Sequence, residues 1–509
     1  MGYVPLYVVL PLIAGVIIPI LGRKLKFIGP LLLNLVLVYL TYITIYLILK
    51  EKSVLVYKVG GWGIVKGIPI GIFLVVDSLS KVLLLIINFV GLCSALYSIS
   101  YIKKFTGEEK YFALFSLMIA GMNGVVISGD LFNIFVFLEI AAIASYALVA
   151  FGIRKEELEA SFKYQVLGGI SSMMILLGIG IIYWKFGTLN IADVGRLMIM
   201  GFNGKSIYFV QALFLMGFGL KAALVPFHSW LPDAHSSAPS PISSMLSGVL
   251  IKAIGVYVIM RLFFNMFIPV YKLGVILATV GVLSMVVGGL LAIGQRDFKR
   301  LLAYSSISQI GYVITAISVG ILLLVRGEST AIAAFAILGG LYHLFNHALF
   351  KGLLFLTAGS VEYQTDTRDM DKLGGLYSNM PVTTSSALTA SMAISGIPPL
   401  NGFFSKLIII IALIKAKYYV LALISVLMSI VTLAYFLKFM RYTFFEKLKS
   451  NWENVKESPF WMCFSMILLA VLCLVTSVLI IPGIREKFLS PAVNVLIELG
   501  KYSINVLGK

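Results

Sequence analysis

Apolar stretches of membrane-spanning length, about 20 residues each, follow one another from residue 4 to residue 482 with only short polar interruptions. Lipid is therefore the solvent for most of the chain. Composition agrees, because 60% of the residues are hydrophobic and 12% charged, against about 25% charged in an ordinary soluble domain. Glycine, proline and charge punctuation divide the sequence into spans at 4–22, 27–49, 71–100, 111–129, 131–152, 162–185, 206–226, 239–263, 273–294, 300–325, 330–358, 382–414, 418–440 and 460–482. The expected fold is all-α integral membrane, with 14 transmembrane helices. An even number returns both termini to one side, but Lys and Arg fall in loops on both sides and do not orient the chain.

The formal net charge is +18. Its basic residues sit in short clusters between apolar runs, such as Arg23-Lys24-Leu25-Lys26 and Lys103-Lys104. Anionic lipid headgroups suit such clusters better than nucleic acid does. The first apolar run has no basic residue before it and no small-residue cleavage pattern after it, so it reads as a retained span rather than a signal peptide. Cys93, Cys463 and Cys473 lie in apolar stretches without metal-type spacing, and neither GxxxxGK[ST] nor a strand-borne GxGxxG occurs. Hydrolytic, redox and cofactor chemistry are not expected in this chain.

Two spans differ from the rest. Gly219-Leu220-Lys221-Ala222-Ala223-Leu224-Val225-Pro226 and Gly396-Ile397-Pro398-Pro399-Leu400-Asn401-Gly402 place proline and glycine beside polar side chains inside apolar regions. Helices broken at Pro226 and at Pro398 and Pro399 are expected, each with a lysine beside it, Lys221 and Lys406. Interrupted helices at matching positions of two halves point to inverted repeats with a site near the midplane. The seventh and twelfth spans carry the breaks, which suits two inverted five-helix repeats, spans 4–8 and 9–13. The expected organisation is a three-helix segment at 1–110, repeats at 111–263 and 273–440, and a last span with a short amphipathic terminus at 460–509.

A charge at the bilayer centre costs at least about 2.5–3.5 kcal/mol and usually marks function. Glu139 lies well inside the fifth span without a cation in its own helix, and Lys221 is its expected partner. Lys252 lies mid-span among small residues, and Lys406 follows the second break. His343, His347 and Lys351 recur every four residues on one helix face, covering about 12 Å along the axis. Histidine at i and i+4 also suits zinc, but the HExxH glutamate is missing and no cysteine or acid is adjacent. Histidine titrates near neutral pH and burial penalises the charged form of a base, so these residue types suit a proton relay. Lys81 and Lys163 lie nearer helix ends, where snorkelling to the interface is an equal reading. Lys163, His228 and Asp77 are secondary candidates.

Several of these segments are jointly diagnostic. KAALVPFHSWLPDAH from Lys221, APSPISSMLSGVLIKAIGVY from Ala238, QRDFKRLLAYSSISQIGY from Gln295, HLFNHALFKGLLFLTAGSV from His343 and GIPPLNGFFSK from Gly396 resemble the antiporter-like subunit family. That family comprises the proton-pumping membrane subunits of respiratory complex I and the large subunits of Mrp-type cation/proton antiporters, with relatives in membrane-bound hydrogenases and sulfur reductases. The resemblance runs from about Asp77 to Lys438. It implies a central polar axis in which Glu139, Lys221, Lys252, His343, His347, Lys351 and Lys406 occupy the family's pathway positions. It also implies partner membrane subunits, with iron–sulfur and metal centres only in those partners. The expected function is ion translocation in a redox-driven complex of the hydrogenase or sulfur reductase kind, at the cell membrane. Two alternatives are the D-type component of an Mrp-type sodium/proton antiporter and a self-sufficient solute transporter.

Overall fold

The structure is a computed structural model that describes residues 2–508 apart from 66, 202, 203 and 499. Helices dominate because in lipid every backbone N–H and C=O needs an internal partner. In chain order they are α1 (Leu6–Leu21), α2 (Ile28–Lys50), α3 (Ser78–Tyr101), α4 (Glu108–Ile127), α5 (Leu131–Val149), α6 (Lys155–Phe186) and the short α7 (Ile191–Ile199). There follow α8 (Lys205–Lys221), α9 (Trp230–Ser237), α10 (Ser240–Asn265), α11 (Tyr271–Ile293), α12 (Phe298–Val325) and α13 (Thr330–Thr365). The remainder are α14 (Pro381–Ser395), α15 (Asn401–Lys415), α16 (Tyr419–Phe445), α17 (Phe460–Ile480) and three short helices, α18 (Pro482–Phe488), α19 (Ser490–Ile497) and α20 (Lys501–Leu507). Among the described residues, eleven helices are long and apolar enough to cross a membrane.

Helix starts follow local capping chemistry. The Asp77, Asp130 and Asp297 carboxylates accept from Ser80, Asn133 and Arg300 backbone N–H groups at 2.9, 2.9 and 3.0 Å, fixing the first turns of α3, α5 and α12. The span expected at 71–100 therefore begins later, at Ser78. Before it, Phe73–Val76 pairs antiparallel with Leu55–Lys58, Leu55 opposite Val76, and a smaller pair, Ile64–Val65 with Ile68–Pro69, closes the tip. Hydropathy alone cannot separate this β-branched strand from the helix that follows it.

The helices sort into an interior and a lipid-facing belt. The most apolar window of α10 is entirely buried, as is nearly all of that of α12, whereas well under half of each of those of α6, α11 and α16 is buried. Small residues set the closest approaches. A Cβ at Gly311 of α12 would stand 2.4 Å from the Met285 backbone nitrogen of α11, an approach that membrane helices achieve with glycine. The segment after Ile481 forms α18, α19 and α20. It is tied down by Asn265 Nδ2 donating to the Val495 carbonyl at 2.7 Å and Ser503 Oγ to the Ala192 carbonyl at 2.7 Å.

Candidate functional site

Both proline-glycine segments interrupt helices. The first helix stops at Lys221, passes Ala223 at φ 55°, and resumes at Trp230. The Leu220 carbonyl there accepts from the Ala223 N–H and from Trp230 Nε1, both at 3.0 Å, and the Val225 N–H donates to Ser284 Oγ at 2.9 Å. The second stops at Ser395, turns at Gly396 (φ 82°) and resumes at Asn401. Here the Ser395 carbonyl accepts from Ser429 Oγ at 3.2 Å and the Asn401 carbonyl from Asn346 Nδ2 at 2.9 Å. Side chains of other helices thus meet the Val225 N–H and the Ser395 carbonyl that the breaks leave without helical partners, which is how broken helices persist in a membrane.

At the first break, Lys221 Nζ is buried and donates to the Gly168 carbonyl and Ser172 Oγ, both at 3.2 Å, with Tyr146 Oη at 3.4 Å. Glu139 Oε1 lies 3.9 Å from Nζ, and Ser172 Oγ, which also donates to Glu139, stands between them. Glu139 is the more exposed partner, with 28% of its side chain accessible. The pair expected from sequence is therefore brought together, through a hydroxyl that sequence did not suggest.

The other buried bases are organised by one face of α12. Lys351 Nζ donates to the Leu302 carbonyl at 2.7 Å and to Ser305 Oγ. Ser306 Oγ pairs with Ser247 Oγ at 2.7 Å, and the Ser247 carbonyl accepts from Lys252 Nζ at 2.5 Å. Gln309 Oε1 lies 3.2 Å from His343 Nε2, and the ring of Tyr312 lies 5.0 Å from Lys406 Nζ. Residues 302 to 312 cover about 15 Å of helix axis, so this strip lines the row from Lys351 to Lys406. His343 Nδ1 completes its contacts with Ser405 Oγ at 3.0 Å, and Lys406 Nζ donates to Ser429 Oγ at 3.1 Å. His347 differs: its ring is buried and neither nitrogen has a partner among the described residues.

The secondary candidates lie elsewhere. Lys163 is half exposed and pairs with Glu159 at 2.8 Å and Asp233 at 3.2 Å, outside the buried row. His228 is half-buried within the first break, its Nδ1 without a partner among the described residues. Asp77 is buried against Arg261, whose Nη1 reaches Asp77 Oδ2 at 2.7 Å and whose Nη2 reaches Oδ1 at 2.9 Å. Arg261 also donates to Asn265 Oδ1 at 3.0 Å and Tyr257 Oη at 3.2 Å, and lies 4.7 Å from the Tyr502 ring. Lys81 donates to the Glu51 carbonyl at 2.6 Å near its helix end.

Sequence reading missed Ser172, Arg261, Lys299 and His235, together with the Ser305-Ser306-Gln309-Tyr312 strip. A polar residue at every helical turn of α12 was the available signal for the strip. Among the described residues no three His, Cys, Asp or Glu side chains gather closely enough to hold a metal ion.

Two interrupted helices around a buried row of bases define a polytopic membrane protein with an internal polar axis. The chain belongs to the NADH:quinone oxidoreductase/Mrp antiporter transmembrane family, whose model matches residues 128–432; residues 62–112 match the complex I chain 5 N-terminus. It is 35% identical to the N-type component of the NADH-quinone oxidoreductase of Desulforudis audaxviator over 75% of this chain and 74% of that one. It is 32% identical to the D-type component of the Na(+)/H(+) antiporter of Alkalihalophilus pseudofirmus over 81% of each. A chain of the archaeal membrane-bound sulfane sulfur reductase, a respiratory membrane complex, superposes with TM-score 0.89 and 31% identity over the whole of both chains.

Proposed function

We propose that this chain is an ion-translocating, proton-conducting subunit of a multi-subunit redox-driven membrane complex of the hydrogenase or sulfur reductase kind. The path runs from Glu139 and Lys221 through Lys252 to Lys351, His347 and His343, and leaves by Lys406. One observation carries this reading: six bases, Lys221, Lys252, His343, His347, Lys351 and Lys406, are buried, four of them (Lys252, His343, His347 and Lys351) in helices long and apolar enough to cross a membrane, where a charge needs an explanation. Hydroxyl, amide and carbonyl groups surround most of them, the groups that pass a proton on with water between. Pairing and unpairing of Glu139 and Lys221 is the switch, because a carboxylate beside an amine favours its protonated form.

The 14 crossings and the two inverted five-helix repeats belong to the same proposal, with α8–α9 and α14–α15 as the broken seventh and twelfth helices. So does the division into residues 1–110, 111–263, 273–440 and 460–509. The likeness to a Na(+)/H(+) antiporter component supports a second reading, sodium/proton exchange without redox chemistry. Partner subunits supply the driving reaction under the first reading. The test is the purified complex in vesicles, with internal pH followed by a dye. Glu139→Ala and Lys221→Ala should abolish ion translocation while the complex assembles; unchanged translocation in both refutes the path. Translocation that persists without sodium and needs the redox substrate separates the first reading from the second.

A further inference from the structure

The buried row must exchange protons with water, and none of its members from Lys252 to Lys406 is exposed. The end of the molecule formed by the α6, α12 and α13 termini and by α9 carries a dense ionic rim. Lys299, itself buried, pairs with Glu362 at 2.6 Å and donates to the Ala238 carbonyl at 3.1 Å. Arg368 lies 3.7 Å from Glu362, 3.5 Å from Asp297 and 3.8 Å from Glu156, and bonds the Ser236 carbonyl. Glu362 Oε2 also accepts from Ser240 Oγ at 3.3 Å. Its side chain is about one quarter exposed (26%) and that of Lys299 buried, so the Glu362–Lys299 pair spans the boundary between water and interior.

His235 is tied to this pair through Ser243 Oγ, which donates to the His235 carbonyl and to that of Ala238, the acceptor of Lys299. The imidazole is 0% exposed and neither nitrogen has a partner among the described residues. An unmet buried polar group costs about 1–3 kcal/mol, a cost relieved when water enters. The ring stacks on Phe355 at 5.0 Å, and Lys351 Nζ lies 6.0 Å from the centroid of that same ring. It thus stands between the rim and the buried row, with its hydrogen-bonding capacity unspent.

We infer that the Glu362–Lys299 pair is the mouth of a proton entrance and that His235 is its first interior station, delivering to Lys351. This rests on the proton-conducting reading above. A hydronium O–H bond breaks as an N–H bond forms at a free nitrogen of neutral His235, leaving water; an N–H bond of that imidazolium then breaks as one forms on the unprotonated amine of Lys351, so that only a proton moves. An amine and an imidazole line the path, so it suits a proton carried on a base.

The test uses the assembled complex in vesicles of phosphatidylethanolamine and phosphatidylglycerol, with internal pH followed by a dye. His235→Phe, which keeps the stacking, should slow translocation about tenfold. His235→Ala should slow it similarly and recover when imidazole is added, a rescue that a merely structural role would not give. The double variant Lys299→Met/Glu362→Gln removes the mouth without stranding a charge and should also slow translocation. Wild-type rates in His235→Phe and the double variant, with Lys351→Met inactive, overturn the entrance and leave the proton path standing. A slow His235→Ala that imidazole does not restore also overturns it. Wild-type rates in Lys351→Met refute the proton path itself.

Discussion

Replacing Arg261 by methionine tests whether one buried ion pair holds the C-terminal helices against the bundle. Arg261 lies fully buried near the end of α10 and contacts Asp77 at the start of α3, Tyr257 and Asn265 on its own helix, and the Tyr502 ring of α20. At 2.7 Å and an effective dielectric of about 20, the charge pair is worth about 6 kcal/mol before desolvation. Removing one partner of such a pair costs about 3–5 kcal/mol, because the other charge is left buried. Arg261→Met should therefore lower stability by about that much. Asp77→Asn/Arg261→Met strands no charge, and should fall short of the summed single losses by about 2 kcal/mol. Unfolding in mixed micelles, by titrating sodium dodecyl sulfate into dodecyl maltoside, measures all three variants. Protease should also cleave the segment after Ile481 faster in Arg261→Met, since the Tyr502 contact is lost and Asn265, which bonds the Val495 carbonyl, loses its Arg261 partner. A loss below about 1 kcal/mol, or strictly additive singles, refutes the reasoning.

The two histidines of α13 should differ in what they contribute to stability. His343→Leu leaves Gln309 Oε1 and Ser405 Oγ without the ring that meets them, whereas His347→Leu strands no partner, so the first should be less stable by about 1–3 kcal/mol in the same titration. Equal losses would show that the His343 contacts carry no net energy. At the second break a Cβ on Gly402 would stand 1.8 Å from the Ala393 carbonyl oxygen. Gly402→Ala must force α14 and α15 apart and should cost about 3 kcal/mol, read as lost yield of assembled complex and a lower unfolding midpoint; a normal yield and midpoint would show that the break yields freely.

The sequence alone determined that this protein lives in lipid, roughly where its helices run, and where two of them break. These properties are local: hydropathy accumulates over about 20 neighbouring residues, and proline with glycine acts within a turn. The buried bases were legible for the same reason, because a lysine such as Lys252 in the middle of an apolar run is conspicuous without any knowledge of its neighbours. Family motifs then assigned roles that spacing could not.

Tertiary structure decided everything that depends on which helices touch. It interposed Ser172 between Glu139 and Lys221, left Lys163 at the rim with Asp233, and turned Asp77 toward an arginine 184 positions away. It made the α12 strip the lining of the row, because a polar residue at every turn marks a face of the helix but not which bases that face meets. It also paired residues 55–58 with 73–76 in a hairpin that hydropathy absorbed into a span. Hydrogen bonds between distant segments have no periodicity in the chain that makes them. The membrane fixes that buried polar groups must find partners, and only packing fixes which partners they find.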